Sequence, residues 1–261
     1  MVADRLALLS DAADAVARSL AGPIDRGLSG MRPGQYVLDV SADAAALEVL
    51  LGAGVGVLSE ESGLQRNGSD LVVIIDPVDG STNASRGVPW FATSLCLVDR
   101  DGPATALVVN LATGVRYWAE RGAGAWSDGT RLRGSGCGRI GDAVIGMNGV
   151  PPSPLGSAQV RVLGAVALDL CAVAAGVLDG YVDCVVEAHG VWDHAAGSLI
   201  CREAGVPVVD LWGRELVVVD HRARRTPVAG STPAVLESLL RARRTSTEPP
   251  PADAIGSVLE Q

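Results

Sequence analysis

The chain has 261 residues, of which 48% are hydrophobic and only 3% aromatic, and carries a net charge of −9. That length supports one large domain or two closely packed halves, and the acidic balance argues against a nucleic-acid or anionic-membrane binder. It leaves a small phosphate ester open as a ligand, because a bound divalent cation reverses the local sign.

Residues 3–20 place Leu6, Leu9, Ala13, Val16 and Leu20 at helical spacing with Asp and Arg between them, which predicts an amphipathic helix ended by Gly22 and Pro23. After a turn-rich segment, Val37–Val40 reads as a short extended piece. A second helix is predicted over Asp43–Leu51, closed by Gly52 and Gly54. Val55–Leu58 then reads as a short strand leading into Ser59-Glu60-Glu61-Ser62-Gly63. Leu71–Ile75 is apolar and mostly β-branched, the pattern of a strand buried on both faces. Phe91–Val98, Ala104–Asn110 and Val115–Ala119, separated by turn residues, predict an antiparallel meander, with one more hairpin at Gly122–Gly129.

The Gly/Arg-rich stretch Arg133–Asp142 divides the chain into an N-terminal half (1–140) and a C-terminal half (141–244). In the second half, strands are predicted at Val160–Leu163, Tyr181–Val186, Val206–Val209, Val217–Val219 and Val228–Ala229. Helices are predicted at Ala165–Ala175, Asp193–Ala204 (stopped by Gly205) and Pro233–Arg243. Residues 245–261 read as a disordered tail. Strands mixed with helices in both halves predict an α/β (α+β) fold of stacked layers.

The five cysteines form no Cys-x-x-Cys pair, and four lie in apolar segments, so neither a disulfide framework nor a zinc site is predicted. The charged N-terminus is no signal peptide and no apolar run is long enough to span a bilayer, so a cytoplasmic protein is expected.

The chain is organised around Asp76-Pro77-Val78-Asp79-Gly80-Ser81-Thr82-Asn83. Two carboxylates arrive three residues apart at a strand end. Pro77 stops the ladder, Gly80 permits a sharp turn, and Ser81, Thr82 and Asn83 are helix N-cap types beside which backbone N–H groups are free. Carboxylates beside free N–H groups suit a cation and a phosphate bound together; an ordinary Asp/Pro/Gly turn is the plain alternative. A pair of magnesium ions requires several carboxylates from different elements. Glu60, Asp76, Asp79 and Asp193 supply them, although Glu60-Glu61 also reads as a solvated loop pair and Asp193 as a plain N-cap.

Glu60-Glu61-Ser62, then Asp76 to Asn83, then Trp192-Asp193-x-Ala195-Ala196-Gly197, in that order, resemble the signatures of the inositol monophosphatase family, and Arg161-x-x-Gly164-x-x-Ala167-Leu168-Asp169 resembles a further family segment. The resemblance spans residues 40–210. It implies a layered αβαβα sandwich of mixed sheets, sugar-phosphatase type, and a homodimer. It implies a phosphomonoesterase with two or three Mg2+ ions per site, held by Glu60, Asp76, Asp79, Asp193 and the Val78 carbonyl. Glu60 and Ser81 would activate the attacking water, Asp193 would lie near the leaving alkoxide, and Gly80 and Ser81 N–H groups would hold the phosphate. Ala165 and Glu187 fall in the substrate-binding positions.

The sequence also departs from the family pattern. Ser81 stands where many members have Thr. Asp43 is the match proposed for the family's N-terminal Asp. All 21 basic residues are Arg, so the Lys common near that Asp is missing; Arg32 is a candidate substitute, although Arg cannot serve as a compact, titratable ammonium. Gly164-Ala165 lacks a hydroxyl usual there, and Glu187 lies one position closer to Asp193 than is usual. His189 is a candidate substrate contact or proton relay, His194 reads as a helix-surface residue and His221 as a loop residue. Arg161 reads as an ion-pair or interface residue, and Trp192 as core packing beside the site.

Three functions follow from these features. The first is hydrolysis of inositol 1-phosphate or a related polyol phosphate. The second is a histidinol-phosphate, 3′-phosphoadenosine phosphate or fructose-1,6-bisphosphate phosphatase. The third is a catalytically weak binding or regulatory homologue.

Overall fold

A computed structural model describes residues 4–22, 25–66 and 68–244. Pro23 and the tail expected at 245–261 lie outside the described residues. The central strand β3 (Val72–Asp79) is buried along its whole length. Its side chains alternate between two cores: Val73 and Ile75 enter one, Val72 and Ile74 the other.

Around β3 lie β1 (Gly56–Ser59), β2 (Gly63–Gln65), β4 (Ala92–Asp99), β5 (Gly102–Asn110), β6 (Arg116–Glu120), β7 (Gly124–Ser127) and β8 (Thr130–Arg131). They form an eight-stranded sheet in the order β2-β1-β3-β4-β5-β6-β7-β8. The β1–β3 pair is parallel and the other pairs are antiparallel, with β4 to β8 forming the expected meander and hairpin.

One face of this sheet is covered by α1 (Arg5–Ser19) and α2 (Val37–Gly52). Asp4 caps α1 by accepting from the Ala7 N–H at 2.9 Å. Val37–Val40, expected to be extended from its β-branched residues, is instead the first turn of α2. The local reason is Asp39, whose Oδ2 accepts the Tyr36 N–H at 2.8 Å and so closes the helix start. Burial of Leu38 against the sheet then outweighs weak propensity.

The opposite face packs on α4 (Val166–Ala174) and α5 (Val191–Glu203). These helices cross closely because Gly197 has no Cβ; one placed there would lie 2.7 Å from Leu170 Cβ. Beneath them runs a second sheet of β9 (Val144–Asn148), β10 (Gln159–Arg161), β11 (Gly180–Asp183), β13 (Val208–Asp210) and β15 (Pro227–Gly230). Its order is β10-β9-β11-β15-β13.

The last helix, α6 (Pro233–Arg244), covers the outer face of the second sheet through Val235, Leu236 and Leu239. The layers are therefore helix, sheet, helix, sheet, helix. A short ribbon of β12 (His189–Gly190) and β14 (Arg224–Arg225) closes the end near α5. Val217–Val219, expected as a strand, forms none; Val217 and Val219 pack on the central core from an irregular segment. β9 was not anticipated.

Candidate active site

Asp76 and Asp79 are separated by three residues, an odd spacing that sends side chains to opposite faces of a regular strand. The β3–β4 register shifts between Asp76, opposite Ser94, and Asp79, opposite Ala92. This bulge places Pro77 and Val78 of β3 across from the single residue Thr93 of β4 and brings both carboxylates to one cavity. Pro77 fits here because it has no N–H to lose, and its carbonyl accepts from Thr93 Oγ1 at 2.9 Å.

The chain then turns at Gly80, with φ +86°, into α3 (Ser81–Arg86). A Cβ at Gly80 would lie 3.1 Å from Ala165 Cβ, Gly164 O and Trp90 O, so both conformation and space require glycine. Asn83 fixes this turn to the second half by donating from Nδ2 to Trp90 O at 2.7 Å and Leu163 O at 2.8 Å.

Glu60 follows β1, whose parallel pairing with β3 carries it toward Asp76; its N–H donates to Ile75 O at 3.2 Å. Asp193 comes from the other half, in the first turn of α5. Gly190 is the N-cap, so Asp193 is not the cap residue. Carboxylate oxygens of Glu60, Asp76 and Asp193 lie within 4.8 Å of one another. Asp79 lines the same cavity of about 220 Å³ outside that trio, with Oδ2 accepting the Ala167 N–H at 2.7 Å. Val78, Gly80, Ser81 and Ala165 line it as well.

Burial and mutual repulsion raise the pKa values of these acids. Burial, then the Asp193 charge, pushes Glu60 up to about 8. Burial and Glu60 push Asp76 well above the carboxylate range, and burial and Asp193 do the same for Asp79. Such a cluster is costly without a cation, and an all-oxygen donor set suits a hard divalent ion.

A neighbouring cavity of about 440 Å³ shares Glu60 and Ser81 and is lined also by Asp39 and Arg32. Asp39 is 4% exposed, and its Oδ1 has no hydrogen-bond partner among the described residues. Burial raises its pKa to about 7, while the Tyr36 N–H and the Ser81 hydroxyl favour the charged form. Asp43, one helical turn on, is engaged elsewhere: its Oδ1 accepts from Ser59 Oγ at 2.5 Å. Asp39, which sequence reasoning passed over, is therefore the acid beside Ser81. The signal was the Asp39-x-x-x-Asp43 spacing, which puts both on one helix face.

Arg32 pairs with Glu61, which also accepts from Gln35, and reaches the Glu60 carbonyl at 3.4 Å. Glu187 lies outside the first cavity. It has φ +55° and its carboxylate is gripped by Arg214 at 2.6 and 3.0 Å. Asn148, Asp169, Tyr181 and His189 complete the wall of the first cavity. His194, expected on the helix surface, is fully buried with no partner for either ring nitrogen among the described residues. Arg161 is exposed and donates to Val160 O and Gln159 Oε1, both local partners. Trp192 is 5% exposed, between the His221 ring at 4.7 Å and the Arg224 guanidinium at 5.2 Å. His221 lies in an irregular segment, with Nε2 3.2 Å from Glu60 O.

The sequence profile of the inositol monophosphatase family matches residues 38–248. The chain belongs to this family. It is 35% identical over 219 residues to a fructose-1,6-bisphosphatase/inositol-1-monophosphatase of Thermococcus kodakarensis, covering 80% of this chain and 82% of that protein. It is 38% identical over 204 residues to an inositol-1-monophosphatase of Mesorhizobium japonicum, covering 69% and 74% of the two chains. The crystal structure of the extragenic suppressor protein suhB from Bartonella henselae superposes with a TM-score of 0.77 at 30% identity, over 93% of this chain and 99% of that one. Family membership makes the protein a phosphoric monoester hydrolase of layered α+β fold, and Glu60, Asp76 and Asp193 form a group able to hold a metal ion. No described helix is long and apolar enough to cross a membrane.

Proposed function

We propose that the protein hydrolyses the phosphate monoester of a polyol or sugar, with inositol 1-phosphate as the first substrate, and that Mg2+ is its cofactor. The observation that carries this reading is the convergence of Glu60, Asp76 and Asp193 within 4.8 Å in the cavity that also holds Asp79, Gly80 and Ser81. Glu60, Asp76, Asp79, Asp193 and the Val78 carbonyl are the groups that would hold the cations. When bound, the cations would neutralise phosphate charge and stabilise the charge that develops in the transition state.

The chain's own groups do the rest. Backbone N–H groups of Gly80 and Ser81 at the α3 start hold the phosphate oxygens. Glu60 and the Ser81 hydroxyl orient the attacking water. Asp39 sits behind Ser81 with a proton affinity near neutrality, as a general base requires, and takes up the proton that Ser81 relays. Asp193 faces the leaving oxygen. Ala165 offers the substrate only van der Waals contact. Glu187 would reach a substrate hydroxyl only by leaving Arg214.

Fructose 1,6-bisphosphate is the second reading, favoured by the double name of the Thermococcus kodakarensis relative; histidinol phosphate and 3′-phosphoadenosine phosphate rank below it. A non-catalytic regulatory role is disfavoured by the strain of keeping four clustered carboxylates. A cytoplasmic homodimer is the expected form. The test is phosphate release with Mg2+ from inositol 1-phosphate, fructose 1,6-bisphosphate, histidinol phosphate and 3′-phosphoadenosine 5′-phosphate. The highest kcat/KM on inositol 1-phosphate supports the first reading, and the highest on the bisphosphate replaces it with the second.

A further inference from the structure

Asp193 reaches the acidic cluster from a different half of the chain than Glu60, Asp76 and Asp79, and it lies on the first turn of α5. In a capping box an acid at that helical position folds back to accept from the N-cap N–H. Here its Oδ2 instead lies 3.3 Å from Nδ1 of His189. The imidazole is fixed from behind. Its Nε2 is 3.4 Å from Oδ2 of Asp183, 3.3 Å from Asn148 Nδ2 and 3.5 Å from the Tyr181 hydroxyl. Asp183 is fully buried at the end of β11 and is itself held, Oδ1 accepting from Asn148 Nδ2 at 3.1 Å and the Val185 N–H at 2.9 Å. The backbone of His189 is pinned by the β12–β14 ribbon.

We propose that His189 is a positioning residue for Asp193: held at Nε2 by Asn148 and Tyr181 and facing the buried Asp183 carboxylate, it holds one carboxylate oxygen of Asp193 and so aims the other into the acidic cluster, fixing the geometry of the cation site that Asp193 helps to form. The inference rests on the reading of Asp193 as a cation ligand. Groups that orient a metal ligand typically change metal affinity ten- to a hundredfold when removed.

The test uses the full chain and Mn2+ as the probe, with free Mn2+ followed by electron paramagnetic resonance and no substrate present. His189→Asn keeps an N–H donor near the position of Nδ1, whereas His189→Gln keeps one near Nε2 only. The expected result is that His189→Gln weakens Mn2+ binding about tenfold, that His189→Asn stays within about threefold of wild type, and that in an Asp193→Asn background His189→Gln has no further effect. Mn2+ affinity unchanged in His189→Gln, or lost equally with and without Asp193, would overturn the inference and leave the phosphatase reading standing. Loss of fold in both His189 variants, seen by circular dichroism, would also overturn it, since His189 would then be supporting the ribbon. Failure of the wild-type chain to bind Mn2+ would overturn the phosphatase reading and this inference together.

Discussion

The backbone N–H of Ala167 donates to Oδ2 of Asp79 at 2.7 Å, joining residues 88 positions apart. It ties the first turn of α4 to the end of β3, so the two halves of the chain meet at a carboxylate of the acidic cavity. Asp79→Asn keeps an acceptor for Ala167 and removes an acid whose ionisation the metal-free fold resists. We predict that phosphate release falls at least about a hundredfold, while the metal-free protein melts at a higher temperature than wild type. Calorimetry in chelator and a phosphate assay check the two halves of this prediction.

Metal-free stability should fall as pH rises. The folded pKa of Glu60 is raised to about 8 from an ordinary 4.5, first by burial and then by Asp193. A carboxyl raised in this way favours the folded state below its unfolded pKa, and that contribution is lost as pH climbs through about 8. Asp76 and Asp79 are shifted in the same direction. Melting temperatures in chelator should therefore decline between about pH 5 and pH 9, and added Mg2+ should raise them most at the alkaline end.

His194 gives the opposite sign. Burial holds its pKa at about 3 against an ordinary 6.5, so below about pH 6.5 the unfolded chain takes up a proton that the folded chain refuses. Both ring nitrogens also lack partners among the described residues. His194→Leu should stabilise the protein by about 1 kcal/mol at pH 7. The gap should widen by about 1.4 kcal/mol per pH unit below about pH 6.5. Denaturant midpoints of the two proteins at pH 7 and pH 5 measure this.

Glu187 is occupied by Arg214, which also binds the fully buried Asp210 at 2.8 Å. Glu187→Gln should therefore change KM for inositol 1-phosphate by less than about threefold and lower stability by about 1 kcal/mol. A KM rise above about tenfold with unchanged stability would mean that Glu187 leaves Arg214 to bind substrate.

Several of these features were legible in the residues. The apolar run into Asp76 marked β3, and the four carboxylates were identifiable as the acids of one cavity. What a linear pattern cannot carry is the bulge, which depends on β4 and gives an odd spacing one face. It also missed the first turn of α2, because strand-like Val37–Val40 is overridden by the Asp39 cap and by burial. It took His194 for a surface residue because α5 lies between two sheets and has almost no wet side. It named Asp43 and passed over Asp39 because only the fold shows which carboxylate approaches Ser81, which lies 42 residues from Asp39 and 38 from Asp43 in sequence. β9, with Gly146 and Asn148 in a short run, carries too little pattern to announce itself.

The most direct test is inorganic phosphate released from inositol 1-phosphate by the purified full chain, with Mg2+ and with chelator, beside Asp76→Asn. Turnover that requires Mg2+ and disappears in Asp76→Asn is the predicted result. Turnover that survives chelator, or that Asp76→Asn retains in full, would contradict the account.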